Sequence, residues 1–192
     1  MKHIVFSYSI AVILMACNSS TENTKNDTAY KDTIAPVQPQ QVQDTSAAFP
    51  LKEMLTAYLQ LKNALTKDNG AEAASAATKI SDVLAKVNGG SLPASQAKAY
   101  ADLHDDIKKH ADHIGASASK IAQQREHFIM LSKNFEDLVK ALGNGGQTLY
   151  KDFCPMANNG KGAIWLSELK EIKNPYYGKQ MSTCGSVKEV IK

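Results

Sequence analysis

Apolar positions along this chain change their spacing twice, and the changes divide it into three parts. Ile4 to Met15 is an almost unbroken apolar run, interrupted by Ser7 and Ser9 and preceded by Lys2 and His3. From Asn18 to about Phe49 large apolar residues thin out, and Ser, Thr, Asn, Gln, Asp and Pro take over. From Pro50 they return at helical intervals. Leu51, Met54, Leu55, Tyr58, Leu59 and the stretch Leu61 to Leu65 predict a first helix over about 50–66. Lys67-Asp68-Asn69-Gly70 reads as a turn with Gly70 as a cap. Ala74, Ala77, Ile80, Val83, Leu84 and Val87 predict a second helix over 71–87, ended by Asn88 to Pro93. Ala97, Tyr100, Ala101, His104, Ile107, Ala111 and Ile114 predict a third over 94–114. Small residues at 115–119 bend or break the chain. A fourth helix follows over 117–142, with Ile121, Phe128, Leu131, Phe135, Leu138, Val139 and Leu142 inward. Gly143-Asn144-Gly145-Gly146 stops it. Four amphipathic helices with short turns predict an all-α fold, an antiparallel helical bundle.

The pattern degrades beyond residue 149. Tyr150 to Lys192 is rich in turn signals, such as Asn158 to Gly162 and Asn174 to Gly178. It is expected to be an irregular segment packed on the bundle, with short helices at about 167–172 and 187–191. The predicted organisation is therefore a signal peptide over 1–16, a disordered tether over 17–49 and a helical domain over 50–192. Within that domain the bundle takes 50–149 and the C-terminal segment 150–192.

The ends of the chain suggest where it works. A membrane-spanning helix needs about 20 apolar residues, so Ile4 to Met15 is too short to cross a bilayer, but it suits the hydrophobic part of a signal peptide. It closes in Leu14-Met15-Ala16-Cys17, which looks like a lipobox, with Cys17 as the lipidated residue. The alternative is an ordinary signal peptide with Cys17 merely nearby. The lipobox reading predicts a cell-envelope protein, lipid-anchored at the periplasmic face or outer membrane. The polar stretch cannot bury enough surface to fold, and as a flexible tether of about 30 residues it would span on the order of 30 Å. Charge adds little: 22 Lys and Arg against 19 Asp and Glu give a net charge of +3, mixed along the chain. No basic cluster with interleaved aromatics appears, which argues against a nucleic-acid partner.

Candidate chemistry concentrates near the C-terminus. Cys154-Pro155-Met156 and Met181-Ser182-Thr183-Cys184-Gly185 each place a thiol within three residues of a thioether. Thiolate and thioether are soft donors that select copper(I) or a related ion over hard cations. Cys154, Met156, Met181 and Cys184 are therefore candidate ligands. The competing reading is a Cys154–Cys184 disulfide, which would stabilise the domain by roughly 3–4 kcal/mol in the chain-entropy model and leave the methionines as core residues. His110 and His113, three apart on a predicted helix with Asp106 one turn earlier, could bind zinc or copper(II), or could belong to a solvated polar face. His127 could be a packed histidine, a ligand, or part of an Arg125/Glu126 network. Enzyme motifs fail: Gly160-Lys161-Gly162 lacks the earlier glycine and following Ser or Thr of a phosphate loop. Cys154 with His127 as nucleophile and base has no local support.

Several of these segments together resemble a known family. Gln124-Arg125-Glu126-His127-Phe128, Phe153-Cys154-Pro155-Met156-Ala157, Trp165-Leu166-Ser167 and Asn174-Pro175-Tyr176-Tyr177-Gly178, with Met181 and Cys184-Gly185, are similar to domain-of-unknown-function family 3347. The resemblance extends over about 58–191. It implies a Bacteroidota envelope lipoprotein, related to the C-terminal extension of adaptor subunits of heavy-metal efflux pumps. It implies soft-metal handling with the same four sulfur ligands, and a heavy-metal efflux system as a partner. It supplies no catalytic residues, so the expectation is a non-enzymatic protein that captures and transfers copper(I). The alternative is a non-catalytic interaction module held by a structural disulfide.

Overall fold

The computed structural model describes residues 49–87 and 89–192. The expected signal peptide, the lipidation site at Cys17 and nearly all of the tether lie outside the described residues. Four helices form the first layer: α1 (Leu51–Thr66), α2 (Gly70–Leu84), α3 (Ala94–Gly115) and α4 (Ile121–Leu142). Consecutive helices pack side by side. Their shared core contains Met54, Leu55, Leu61 and Leu65 of α1, Ile80 of α2, Ile107 and Ile114 of α3, and Phe128, Leu131, Phe135 and Leu138 of α4, all with no exposed surface. Among the described residues no helix is long and apolar enough to cross a membrane.

Two helix starts differ from the sequence expectation. Gly70 opens α2 instead of capping α1. Asn69 is the cap: its side chain accepts from Glu72 N–H at 3.1 Å and donates back to Glu72 Oε2 at 3.0 Å, which satisfies a free helical N–H and fixes the start. Gly70 is needed for proximity, because a Cβ there would lie 2.4 Å from the Ala118 carbonyl oxygen. α4 begins at Ile121 because residues 116–119 are spent in turns, with Ser117 N–H bonded to Ile114 O and Lys120 N–H to Ser117 O. His104, expected inward, is part-exposed and pairs its Nδ1 with Asp105 at 2.9 Å.

The all-α expectation is incorrect. The C-terminal segment is a three-stranded antiparallel sheet of β1 (Leu149–Cys154), β2 (Ala163–Ser167) and β3 (Ser186–Ile191), in the order β2-β1-β3. The two short helices expected at 167–172 and 187–191 are absent from it. Each strand disguises its period. In β1 the buried residues Leu149, Asp152 and Cys154 do not alternate strictly, and the pairing with β3 is irregular at Lys151/Asp152, where β3 carries the extra residue Lys188. β2 has only five residues. Val187, Val190 and Ile191 of β3 are spaced as a helical stripe would be, yet β3 is a mostly exposed edge strand whose β-branched residues suit a pleat.

The sheet docks on the helices mainly through β2 against α4 and α1. The centre of that contact is Tyr58, fully buried and stacked on Phe135 and Phe128 at ring distances of 4.5 and 5.5 Å. Its hydroxyl shares a 2.9 Å hydrogen bond with Ser132 Oγ and accepts the Leu166 N–H at 3.0 Å. One side chain of α1 thus serves α4 and β2 together. Tyr58→Phe keeps the ring packing but leaves Leu166 N–H without its acceptor. We predict a loss of about 1–3 kcal/mol, measured by urea unfolding, with helical circular dichroism unchanged in the folded variant.

Candidate functional site

Cys154 ends β1, fully buried and opposite Ala163 of β2. Cys184 is part-buried in the turn between a short 3-10 turn (Gly178–Met181) and β3. Their sulfur atoms lie 2.9 Å apart, and neither is bonded covalently to another cysteine. The two thiols predicted from sequence as one site therefore meet in space. Met156 is 50% exposed in the turn after β1, where its carbonyl accepts from Tyr177 OH at 2.7 Å. Met181 is part-buried at the end of the 3-10 turn, and its carbonyl accepts the Cys184 N–H at 3.2 Å. The contact established here is thiol to thiol, with the methionines placed by backbone on the flanking turns.

Residues that sequence reasoning treated as punctuation hold Cys184 in place. Asn174 is fully buried, and its Nδ2 donates to the Cys184 carbonyl at 2.7 Å. Its Oδ1 accepts from the N–H groups of Tyr176 and Tyr177 at 2.8 and 3.2 Å, and its own N–H bonds Ser182 O at 2.8 Å. One side chain thereby closes the 174–184 loop. Gly185 lets the chain pass against Trp165: φ is +139°, and a Cβ there would lie 2.9 Å from the indole and 3.0 Å from Phe153 O. Arg125 of α4 ties the loop to the helices, with Nε donating to Pro175 O at 2.8 Å and a terminal nitrogen reaching Leu65 O at 3.0 Å and Asp68 Oδ1 at 2.5 Å. Lys179 N–H caps the same carboxylate at 3.1 Å. The Asn-Pro-Tyr-Tyr-Gly segment is thus a clamp.

A buried polar group lies beside the thiols. Asp152, two residues before Cys154 and opposite Trp165, is fully buried, and neither of its carboxylate oxygens has a hydrogen-bond partner. Burial pushes its carboxyl up to about 7, against the pull of Lys62 and of the nearby Trp165 indole N–H, which stays outside hydrogen-bonding geometry. Lys62 is itself fully buried, 2.9 Å from Glu168 Oε2 and 3.4 Å from Ser167 Oγ, and burial holds its amine below the usual range. Both were visible in sequence only as a charge inside an apolar run. The Cys184 thiol is held above its ordinary value, first by its hydrogen bond to Cys154 and then by burial.

His110, His113 and His127 also come together, while Arg125 bonds Pro175, Leu65 and Asp68. His110 Nδ1 and His127 Nδ1 are 3.1 Å apart, and the His113 ring stacks on that of His127 at 4.4 Å and 2°. Burial holds both His110 and His127 below the usual imidazole range; next in size, the neighbouring charge of His127 acts on His110 and that of His113 on His127. Among the described residues no group of three or more His, Cys, Asp or Glu is placed to hold a metal ion.

The model of the family described as "Protein of unknown function (DUF3347)" matches residues 54–147. The chain belongs to DUF3347. The match begins in α1 and stops just before β1. It contains Tyr58, Lys62, His110, His113, Arg125, His127 and Ser132, whereas Cys154, Met156, Met181 and Cys184 lie beyond it. Family membership therefore rests on the helices and their docking residues and assigns no role to the sulfur atoms. No curated protein and no solved structure matches the chain.

The buried carboxylate makes a signed prediction. Its folded-state value of about 7 exceeds the ordinary 3.8, so the folded protein keeps a proton that the unfolded chain releases between those values. Stability from this group is present below pH ~4 and is lost as pH rises through ~7. At about pH 8, Asp152→Asn should be more stable than the parent by roughly 2–4 kcal/mol, a shift of about three units at 1.4 kcal/mol each being the upper bound. Urea unfolding across pH should show the difference shrinking to near zero by pH ~4.

Proposed function

We propose that this DUF3347 chain is a lipid-anchored envelope protein that captures a soft metal ion, copper(I) first, through Cys154 and Cys184, and passes it on without catalysing a reaction. The observation that carries this reading is the convergence of two unbonded thiols, 2.9 Å apart, from chain segments thirty residues apart. The donor chemistry suits a soft cation, because thiolates select copper(I) over hard ions. The fit requires a small movement. With metal–sulfur bonds of about 2.3 Å, two thiolates in tetrahedral arrangement stand about 3.7 Å apart, so the sulfurs must separate by several tenths of an ångström. The separation would come from rotation of the part-exposed Cys184 side chain on a backbone that Asn174 holds, because Cys154 is fully buried in β1. Rotation of their own side chains would let the part-buried Met181 or the half-exposed Met156 complete the shell. The reading takes the four packed helices as an antiparallel bundle, which the short connections at 67–69 and 116–120 favour. Cys17 would hold the domain at a membrane, and a heavy-metal efflux system would receive the ion.

The same convergence favours a second reading, a structural Cys154–Cys184 disulfide in an oxidising compartment. Anaerobic copper(I) titration of the reduced chain against a chromogenic chelator, with Cys17→Ser to remove the third thiol, separates the two. Metal capture predicts one tight equivalent, weakened roughly 100-fold or more, about 2.7 kcal/mol, in the Cys154→Ser, Cys184→Ser variant. Equal affinity in the two proteins, with resistance of the oxidised chain to thiol reagents, would leave the disulfide reading standing alone.

A further inference from the structure

The histidine cluster lies on the family-matched helices, outside the turns that carry the sulfur pair. His110 and His113 are three apart on α3, about one turn, and share a face. His127 of α4 meets both: its Nδ1 is 3.1 Å from His110 Nδ1, with ring centroids 5.4 Å apart, and its face is covered by the parallel ring of His113. His110 and His127 are part-exposed and His113 is exposed, so ions in solution can reach the rings.

Two Nδ1 atoms at this separation share one proton in the metal-free protein, one ring donating and the other accepting. That shared point is where an ion bound by both would sit. Imidazole binds zinc at about 2.0–2.1 Å, and two nitrogens 3.1 Å apart would subtend about 100° at such an ion, between square-planar and tetrahedral angles. Binding needs no net loss of a proton, because the donating ring moves its proton from Nδ1 to Nε2 and both rings coordinate as neutral ligands. The stack with His113 fixes the plane of the His127 ring, so part of the ordering cost is met before the ion arrives. Asp106 and Glu126 bring negative charge to this region and Lys109 opposes them.

The geometry points to a second metal site, in which His110 Nδ1 and His127 Nδ1 bind one imidazole-seeking divalent ion, zinc(II) or copper(II), across α3 and α4, with water in the remaining positions. His113 is a positioning residue there and not a ligand. The site is independent of the proposed thiol centre: its donors are nitrogens, its preferred ions are borderline and not soft, and it links two helices.

The test uses the full chain without thiols (Cys17→Ser, Cys154→Ser, Cys184→Ser) and with His3→Ala, which removes the copper(II) chelate that Met1-Lys2-His3 can form at the amino terminus. Copper(II) alone is the first probe, read by frozen-solution electron paramagnetic resonance. The expected spectrum at one equivalent shows coupling to two imidazole nitrogens. His110→Ala and His127→Gln should each reduce it to one nitrogen and weaken binding at least tenfold, and His113→Ala should keep both nitrogens with a smaller loss of affinity. Zinc(II) alone is the second probe and should raise the unfolding temperature of this chain but not of His127→Gln, with unchanged helical circular dichroism certifying that the variant is folded. A two-nitrogen spectrum that survives His127→Gln, loss of one nitrogen in His113→Ala, or no binding at all would overturn the proposal. Because every protein in the series lacks Cys154 and Cys184, neither outcome bears on copper(I) capture by the thiols.

Discussion

Everything beyond the helices depends on whether a short sheet with one exposed edge strand can be held against them, and buried hydrogen bonding fixes where it sits. The exposed edge strand β3 adds little apolar burial, which falls to Leu149, Trp165 and Leu166 of the other two strands. Tyr58 compensates by receiving a strand N–H at the centre of the aromatic core. Lys62 and Arg125 extend the same principle outward, the first meeting Ser167 and Glu168 at the end of β2 and the second meeting Pro175 in the loop. Each of these groups would be costly to leave unpaired when buried. The sheet therefore has one satisfied position, and the register of that position places Cys154.

The helical layer was legible because its information is local. Stripes in α1, α2 and α4 repeat at 3.6 residues, and the breaks at 67–69, 88–93 and 143–146 are marked by Gly, Asn and Pro. The sheet was illegible for the opposite reason. β1 has two adjacent positions between the inward Leu149 and Asp152, and β3, with its extra residue Lys188, carries a stripe that fits a helix as well as a strand. Those strands are specified by pairing partners far along the chain, which no window of neighbouring residues contains.

At the candidate site, sequence supplied the reactive atoms and missed their supports. Cys154 and Cys184 stand out by type, and their encounter was foreseen. Asn174, Gly185 and Arg125 act only through tertiary contacts, so their roles were hidden even though each residue lies within a segment that carried the family resemblance. The histidines show the same division: the i, i+3 spacing of His110 and His113 was readable, but the meeting with His127 required the α3–α4 packing. The boundary of the family match falls along this line too, enclosing the helical socket and leaving out the strands it receives.

The register of β1 against β2, unbroken from Tyr150 to Cys154, governs which way the reactive edge of β1 faces. Side chains on a strand alternate, so Asp152 and Cys154 share the buried face and Phe153 takes the other. A slip of β1 by one residue would rotate Cys154 and Asp152 toward water and carry Phe153 inward, with the helices untouched. Exposure of the thiol is thus set by the register of a single strand pair, and a lineage could gain or lose a shielded sulfur by sliding that pair one place without rebuilding the scaffold beneath it.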